Sequence, residues 1–193
     1  MSIERIAIED GTGAGYKAKV NSYNQLHTRS VLVSALHDAS LRGDAYAWNA
    51  ISANIDTTDC MLLVSNTSGD RYLVIDHAYV RGDIAGQIDF KVCECAGLTL
   101  AGTAVTGVNL NRTSNNIAEA SAFADETQSP AATVFFTYYQ HLCVNAQTTT
   151  SPFTRIDFEG SIILGEDKGF GIDTILEPAA GFEATAIGYF IDK

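Results

Sequence analysis

The chain has 193 residues, of which 12 are basic and 23 acidic, for a formal net charge of −11. That length suits one sizeable core and is short for two domains, and the acidic balance, without any run of Lys or Arg, excludes the basic patch that nucleic-acid phosphates require. The opening Met1-Ser2-Ile3-Glu4-Arg5 lacks the layout of a secretory signal and no apolar run approaches about 18 residues, so no membrane partner is expected and the chain is expected to fold in a cytoplasm.

Residues 1–30 read as an extended arm and 31–193 as one domain. In the arm, Asp10-Gly11-Thr12-Gly13-Ala14-Gly15-Tyr16 is too glycine-rich to hold one conformation without outside contacts. Its glycines lack the preceding hydrophobic strand and following helix of a phosphate-cradling loop. Residues 31–44 admit either a short helix, through Val33, Leu36, His37 and Leu41, or a strand that leads into a loop at Gly43. Residues 46–52 are the first clear strand, and its Trp48, the sole tryptophan, reads as a core anchor.

From Cys60 to Val80, two β-rich runs flank the polar cluster Ser65-Asn66-Thr67-Ser68-Gly69-Asp70, which predicts a hairpin. Residues 86–94 alternate cleanly. Ile88, Phe90 and Val92 face one way and Gln87, Asp89 and Lys91 the other, so a strand with one wet face is expected. Little β-propensity remains from Asn109 to Pro130, where a long loop is expected. Residues 133–142 are apolar on both faces, as befits a strand that is central or covered by a second copy. Further strands follow at 153–164, 170–176 and 182–191, with a turn at Gly165-Glu166-Asp167-Lys168-Gly169. About eight short strands without helices between them predict an all-β, jelly-roll-like antiparallel β-sandwich behind an extended N-terminal arm, with a closed barrel as the alternative.

Hydrophobic residues make up 46% of the chain and charged residues 18%, for a mean hydropathy of +0.05. The surface is therefore sparsely charged, which suits a protein covered by copies of itself, although Thr-rich strands alone would give the same composition. No enzyme is expected. The serines form no nucleophile elbow, and His27, His37, His77 and His141 lie in separate elements. Cys60, Cys93, Cys95 and Cys143 lack zinc-knuckle spacing and read as buried free thiols. Asp56-Thr57-Thr58-Asp59, and Glu166-Asp167 with Asp173, invite calcium but lack the spacing of a cage, so no metal or cofactor is expected. Arg-Gly-Asp at 42–44 and 81–83 reads as turn chemistry rather than adhesion, and the sequons at Asn66 and Asn111 carry no meaning without secretion.

The stretch Asp10-Gly11-Thr12-Gly13-Ala14-Gly15-Tyr16-Lys17-Ala18-Lys19-Val20-Asn21-Ser22-Tyr23-Asn24-Gln25-Leu26 resembles the opening of a family of small structural proteins of tailed bacteriophages. The resemblance continues through Leu63-Val64 with Asn66-Thr67-Ser68, Leu73-Val74-Ile75-Asp76, residues 101–112, Ile162-Ile163-Leu164-Gly165 and Gly188-Tyr189-Phe190. Tyr23, Gln25 and the Cys93-Glu94-Cys95 segment depart from it. The resemblance implies a capsid decoration, or cement, protein: a virion component that sits as a homotrimer on the outer surface of the head and binds the major capsid protein. The arm, with Asp10, Gly11, Gly13, Gly15, Tyr16, Lys17, Val20 and Leu26, would grip capsid subunits. Phe136, Tyr138 and Leu142 are the candidates for self-association. The alternative is a receptor- or glycan-binding module of a tail fibre or spike, for which Tyr46, Trp48 and Asn49 are the candidate sugar contacts.

Overall fold

A computed structural model describes residues 33–52, 60–82, 86–126, 134–144, 153–174 and 182–193; for 134–144 and for 52, 82, 86, 87 and 174 it describes the backbone alone. The unit that holds the strands runs Ala35–Lys193. Residues 1–30 lie outside the described residues.

The unit opens with a helix, α1 (Ala35–Arg42), followed by β1 (Ala45–Ser52), β2 (Cys60–Asn66), β3 (Arg71–Gly82) and β4 (Gly86–Glu94). Three short or low-propensity strands come next, β5 (Thr103–Val105), β6 (Val108–Asn109) and β7 (Ala120–Glu126), and then β8 (Val134–Val144), β9 (Thr154–Leu164), β10 (Lys168–Thr174) and β11 (Phe182–Asp192). Sheet one has the order β6-β1-β11-β3-β9 and sheet two the order β5-β7-β2-β10-β4-β8, and every pairing is antiparallel. Without the three minor strands, four remain in each sheet. The first pairs with the last, β1 with β11, and the second with the last but one, β2 with β10. This nested pairing across two sheets is the jelly-roll arrangement.

That topology corrects the hairpin expected at Cys60–Val80. β2 and β3 lie in different sheets, so residues 67–70 form a corner between layers. The side chain of Asn66, fully buried, fixes it: its amide nitrogen donates to the carbonyls of Arg71 and Leu164 (2.9 Å each) and its oxygen accepts from the Ser68 N–H (3.0 Å). Its own carbonyl accepts from the Asp167 N–H (2.9 Å), so one residue joins the β2–β3 and β9–β10 corners.

The helical option holds for residues 35–42. The helix stops where Gly43, at φ +79°, donates to the Ser40 carbonyl while Asp44 N–H reaches back to Ala39, the paired bonds of a Schellman cap. Its buried face is Ala39, set against Ala45, Val74 and Tyr189 on the outer side of sheet one.

The two sheets enclose one core. Phe90 and Phe170 of sheet two stack at 5.9 Å, and Phe158 of sheet one meets both edge-on at 5.5 and 5.3 Å. Such aromatic pairs contribute about 0.5–1.5 kcal/mol each beyond the area they bury.

Two further expectations are corrected. The face of β4 read as wet is largely covered: Asp89 is 7% exposed and the Lys91 side chain 15%. The loop expected at 109–130 contains β7, whose Ala- and Ser-rich sequence has little strand preference. It forms because β2 and β5 pair with it on either side and because Ala122 and Ala124 fill the core.

Candidate functional site

Two flanks of the sandwich differ. At one, residues between β4 and β8 extend both sheets, with β6 added to β1 and β7 then β5 added to β2. At the other, β9 ends sheet one and β8 ends sheet two, and no strand among the described residues pairs with the outer edge of either.

β9 is a blunted edge. It carries Arg155, Asp157 and Glu159, with Arg155 donating to Asp157 (2.6–2.7 Å), and it turns away through Glu159 and Gly160, at φ +52° and +69°. β8 is different in sequence: Val134–Val144 contains no Asp, Glu, Lys or Arg in eleven residues. Three register shifts against β4 bend it, so the simple alternation expected for it is broken. Phe136 and Leu142 stand opposite the core residues Val92 and Ile88 in register. The side chains of Phe136, Tyr138 and Leu142 lie outside the described residues. So do Asp10, Gly11, Gly13, Gly15, Tyr16, Lys17, Val20 and Leu26.

The structure separates most candidates for chemistry. His37 is exposed on α1, and His27 and the side chain of His141 lie outside the described residues. His77 is buried with Nδ1 2.6 Å from the Asp76 carboxylate and its ring edge-on to Tyr79 at 5.1 Å. A carboxylate in that position orients an imidazole, but among the described residues no hydroxyl or thiol is hydrogen-bonded to the ring to serve as nucleophile. Asp56–Asp59 lies outside the described residues. Glu166 and Asp167 sit at one end of β10 and Asp173 at the other, about 20 Å apart at about 3.3 Å per residue, so they do not converge. Among the described residues no group of three His, Cys, Asp or Glu side chains could hold a metal ion, and no helix is long and apolar enough to cross a membrane.

The first Arg-Gly-Asp is locked into the fold. Asp44 accepts from Arg71 (2.5 Å) and from Arg42 (3.4 Å), and the Gly43 carbonyl accepts from Tyr46, Asn109 and Asn116. Arg71 also approaches Glu119 and Asp192 and lies over Phe190 at 5.2 Å, and its carboxylate neighbours raise its pKa against the effect of burial. In the second tripeptide, Asp83 lies outside the described residues. Tyr46 and Trp48 are fully buried, so the sugar-stacking role weighed for them is overturned; alternation places both on the core side of β1, and only Asn49 of that trio is exposed. Asn49 donates to Thr185 (2.8 Å).

A cleft of about 350 Å³ opens where β1 meets β5, lined by Asn49, Ile51, Thr103, Thr106 and Val108 among others. Among the described residues that line it none is an acid, a base or a thiol.

The remaining concentration of chemistry is the outer face of sheet two, the face on which alternation places Asp89 and Lys91. Asp89 of β4 stands directly opposite Asp173 of β10, and Lys91 Nζ pairs with the Asp173 carboxylate. At the end of the same strand pair, on its other face, Lys168 donates to both oxygens of Glu94 (2.7 and 2.8 Å) and holds that carboxyl below its ordinary range. Three free thiols, Cys60, Cys93 and Cys95, are buried with Leu63 beneath Leu98 and Leu100. The side chain of Cys143 lies outside the described residues. Burial, with the nearby Asp173 carboxylate, pushes the Cys60 thiol up.

No protein-family model, curated protein or solved structure matches this chain.

Proposed function

We propose that the protein is a non-enzymatic structural component of a tailed-phage virion, a decoration protein that binds the major capsid protein on the outer surface of the head and stabilises it. The observation that carries this reading is the asymmetry of the flanks: among the described residues β8 is an eleven-residue edge strand without formal charge. A long uncharged edge left open to solvent is an aggregation hazard, and a helix, a loop or a strand of another chain can cover it. The resemblance of residues 10–26 to phage structural proteins supplies the identity of that chain, either a second copy in a homotrimer or a shell subunit.

In this mechanism the jelly roll self-associates along the backbone edge of β8, whose Phe136 and Leu142 stand opposite core residues and so support the edge from within. The arm, residues 1–30, reaches neighbouring capsid subunits. Several modest contacts held on one trimer act through effective concentration and resist outward pressure better than any single contact could. The tail-fibre reading loses its sugar platform with the burial of Tyr46 and Trp48.

The test adds purified full-length protein to heads that lack decoration, with mass measured by light scattering. Trimers that bind heads and raise their resistance to heat or chelation, with binding lost on deletion of residues 1–30, are expected. A monomer that never binds heads overturns the reading.

A further inference from the structure

Cys93 closes the outer face of β4 and Cys95 lies just beyond the strand's end, and their sulfurs are 3.9 Å apart. Residues two apart on a strand project to the same side. Here the opposite strand removes any obstacle between them. Gly169 pairs with Cys93 in register, and a Cβ at Gly169 would stand 2.5 Å from Cys95 Sγ and 3.2 Å from Cys93 Sγ. Both sulfurs therefore rest over a backbone position that has no side chain. The third thiol is committed elsewhere, with Cys60 Sγ donating to the carbonyls of Leu62 and Ile172 (3.4 Å each).

The two sulfurs are not equivalent. Cys93 is fully buried, whereas Cys95 is 9% exposed at the start of a turn closed by Leu98 N–H to the Cys95 carbonyl (3.2 Å). The Cys93 thiol and the Ser65 hydroxyl both bond to Cys95 and favour its thiolate, against burial and the Glu94 and Asp167 carboxylates. The bond to Cys95, burial and the nearby Glu94 carboxylate hold Cys93 in its thiol form. Cys95, at the strand's end, is thus the less deeply buried of the two sulfurs and Cys93 stands behind it.

We propose that Cys93 and Cys95 form a thiol-modification site, with Cys95 attacking and Cys93 resolving, which a small disulfide of the glutathione class converts into a reversible Cys93–Cys95 bridge. The Cys95 thiolate attacks one sulfur of the small disulfide, whose S–S bond breaks and releases one thiolate, leaving a mixed disulfide on Cys95. Cys93 gives its proton to solvent and attacks the Cys95 sulfur, and the second small thiolate departs. Two protein thiols are oxidised and one small disulfide is reduced to two thiols. A strand rise of about 3.3 Å per residue sets the two Cα atoms about 6.6 Å apart, near the upper limit for a disulfide, so the bridge is strained and easily reduced.

The test incubates native full-length protein with oxidised glutathione at neutral pH, quenches with an alkylating agent and maps the products by mass spectrometry. The expected product has lost two hydrogens, carries its bridge between Cys93 and Cys95, and reverts under mild dithiothreitol. Cys93→Ala is expected to stop at a stable glutathione adduct on Cys95, with circular dichroism reporting that it has folded. A glutathione adduct that persists on Cys95 of the unsubstituted protein overturns the proposal. So does a bridge to Cys60 or Cys143, or failure of Cys95 to react under conditions in which the unfolded chain does.

Discussion

Gly107 lies against the indole edge of Trp48: a Cβ at position 107 would stand 2.6 Å from Nε1 and 3.0 Å from Cε2. Trp48 is fully buried and also meets Tyr46, at a centroid distance of 6.0 Å, so it cannot retreat without disturbing the core. Gly107→Ala is expected to destabilise the fold by about 1–3 kcal/mol through overpacking. Urea denaturation followed by emission of the sole tryptophan checks this; a midpoint equal to that of the parent would refute the contact.

Lys91 and Asp173 form an ion pair whose carboxylate side chain is 6% exposed. Removal of the cation alone leaves that carboxylate facing Asp89 across the strand pair. Lys91→Met is expected to cost about 3–5 kcal/mol, whereas Lys91→Met with Asp173→Leu is expected to recover most of the loss, since a buried pair balances its own desolvation only while both partners remain. A double-mutant cycle by chemical denaturation measures the coupling. Equal losses in the single and double variants would remove the pair from the account.

Glu126 is fully buried, and its carboxylate accepts from the N–H groups of Ala101 (2.8 Å) and Gly102 (2.7 Å), which holds the approach to β5. Glu126→Gln leaves those two donors a neutral carbonyl oxygen in place of a carboxylate oxygen, at an expected cost of about 1–3 kcal/mol. Amide exchange at Ala101 and Gly102 should accelerate more than exchange in β3 or β11; uniform acceleration would mean that the carboxylate acts on the whole fold instead.

Alkaline pH should weaken the fold in a way traceable to Cys60. Its folded pKa is raised, so above about pH 9 the unfolded chain binds fewer protons than the native one and stability falls as pH rises. One such thiol contributes a slope of about 1.4 kcal/mol per pH unit in that range. Stability measured from pH 8 to 11 should fall less steeply for Cys60→Ala than for the parent. Identical slopes would assign the loss to other groups.

How much was legible in the sequence depends on whether the determinant was local. Residues 86–94 alternate strictly, and β4 has those boundaries. Its environment was misread because coverage of Asp89 and Lys91 comes from β10, whose partnership no local pattern encodes. The Asn66 cluster was legible as a change of chain direction, but hairpin and inter-sheet corner share the same turn residues. What separates them is the Asn66 bond to Leu164, far along the chain. β7 was invisible because Ala and Ser carry almost no strand preference; its pairing partners supply what its own residues lack. Burial of Trp48 was legible from alternation, whereas the closeness of Cys93 to Cys95 needed Gly169 on another strand.

The pairing of Ala45 with Tyr189 sets the order in which this molecule can be made. β11 occupies the middle of sheet one, between β1 and β3, so each keeps one side unpaired until β11 is made, even once β6 and β9 have paired with their other sides. A nascent chain must therefore carry two half-paired strands until β11 emerges. Folding dominated by such distant contacts runs in milliseconds to seconds rather than microseconds. Loss of β11 would open sheet one through its centre rather than shorten it by one strand.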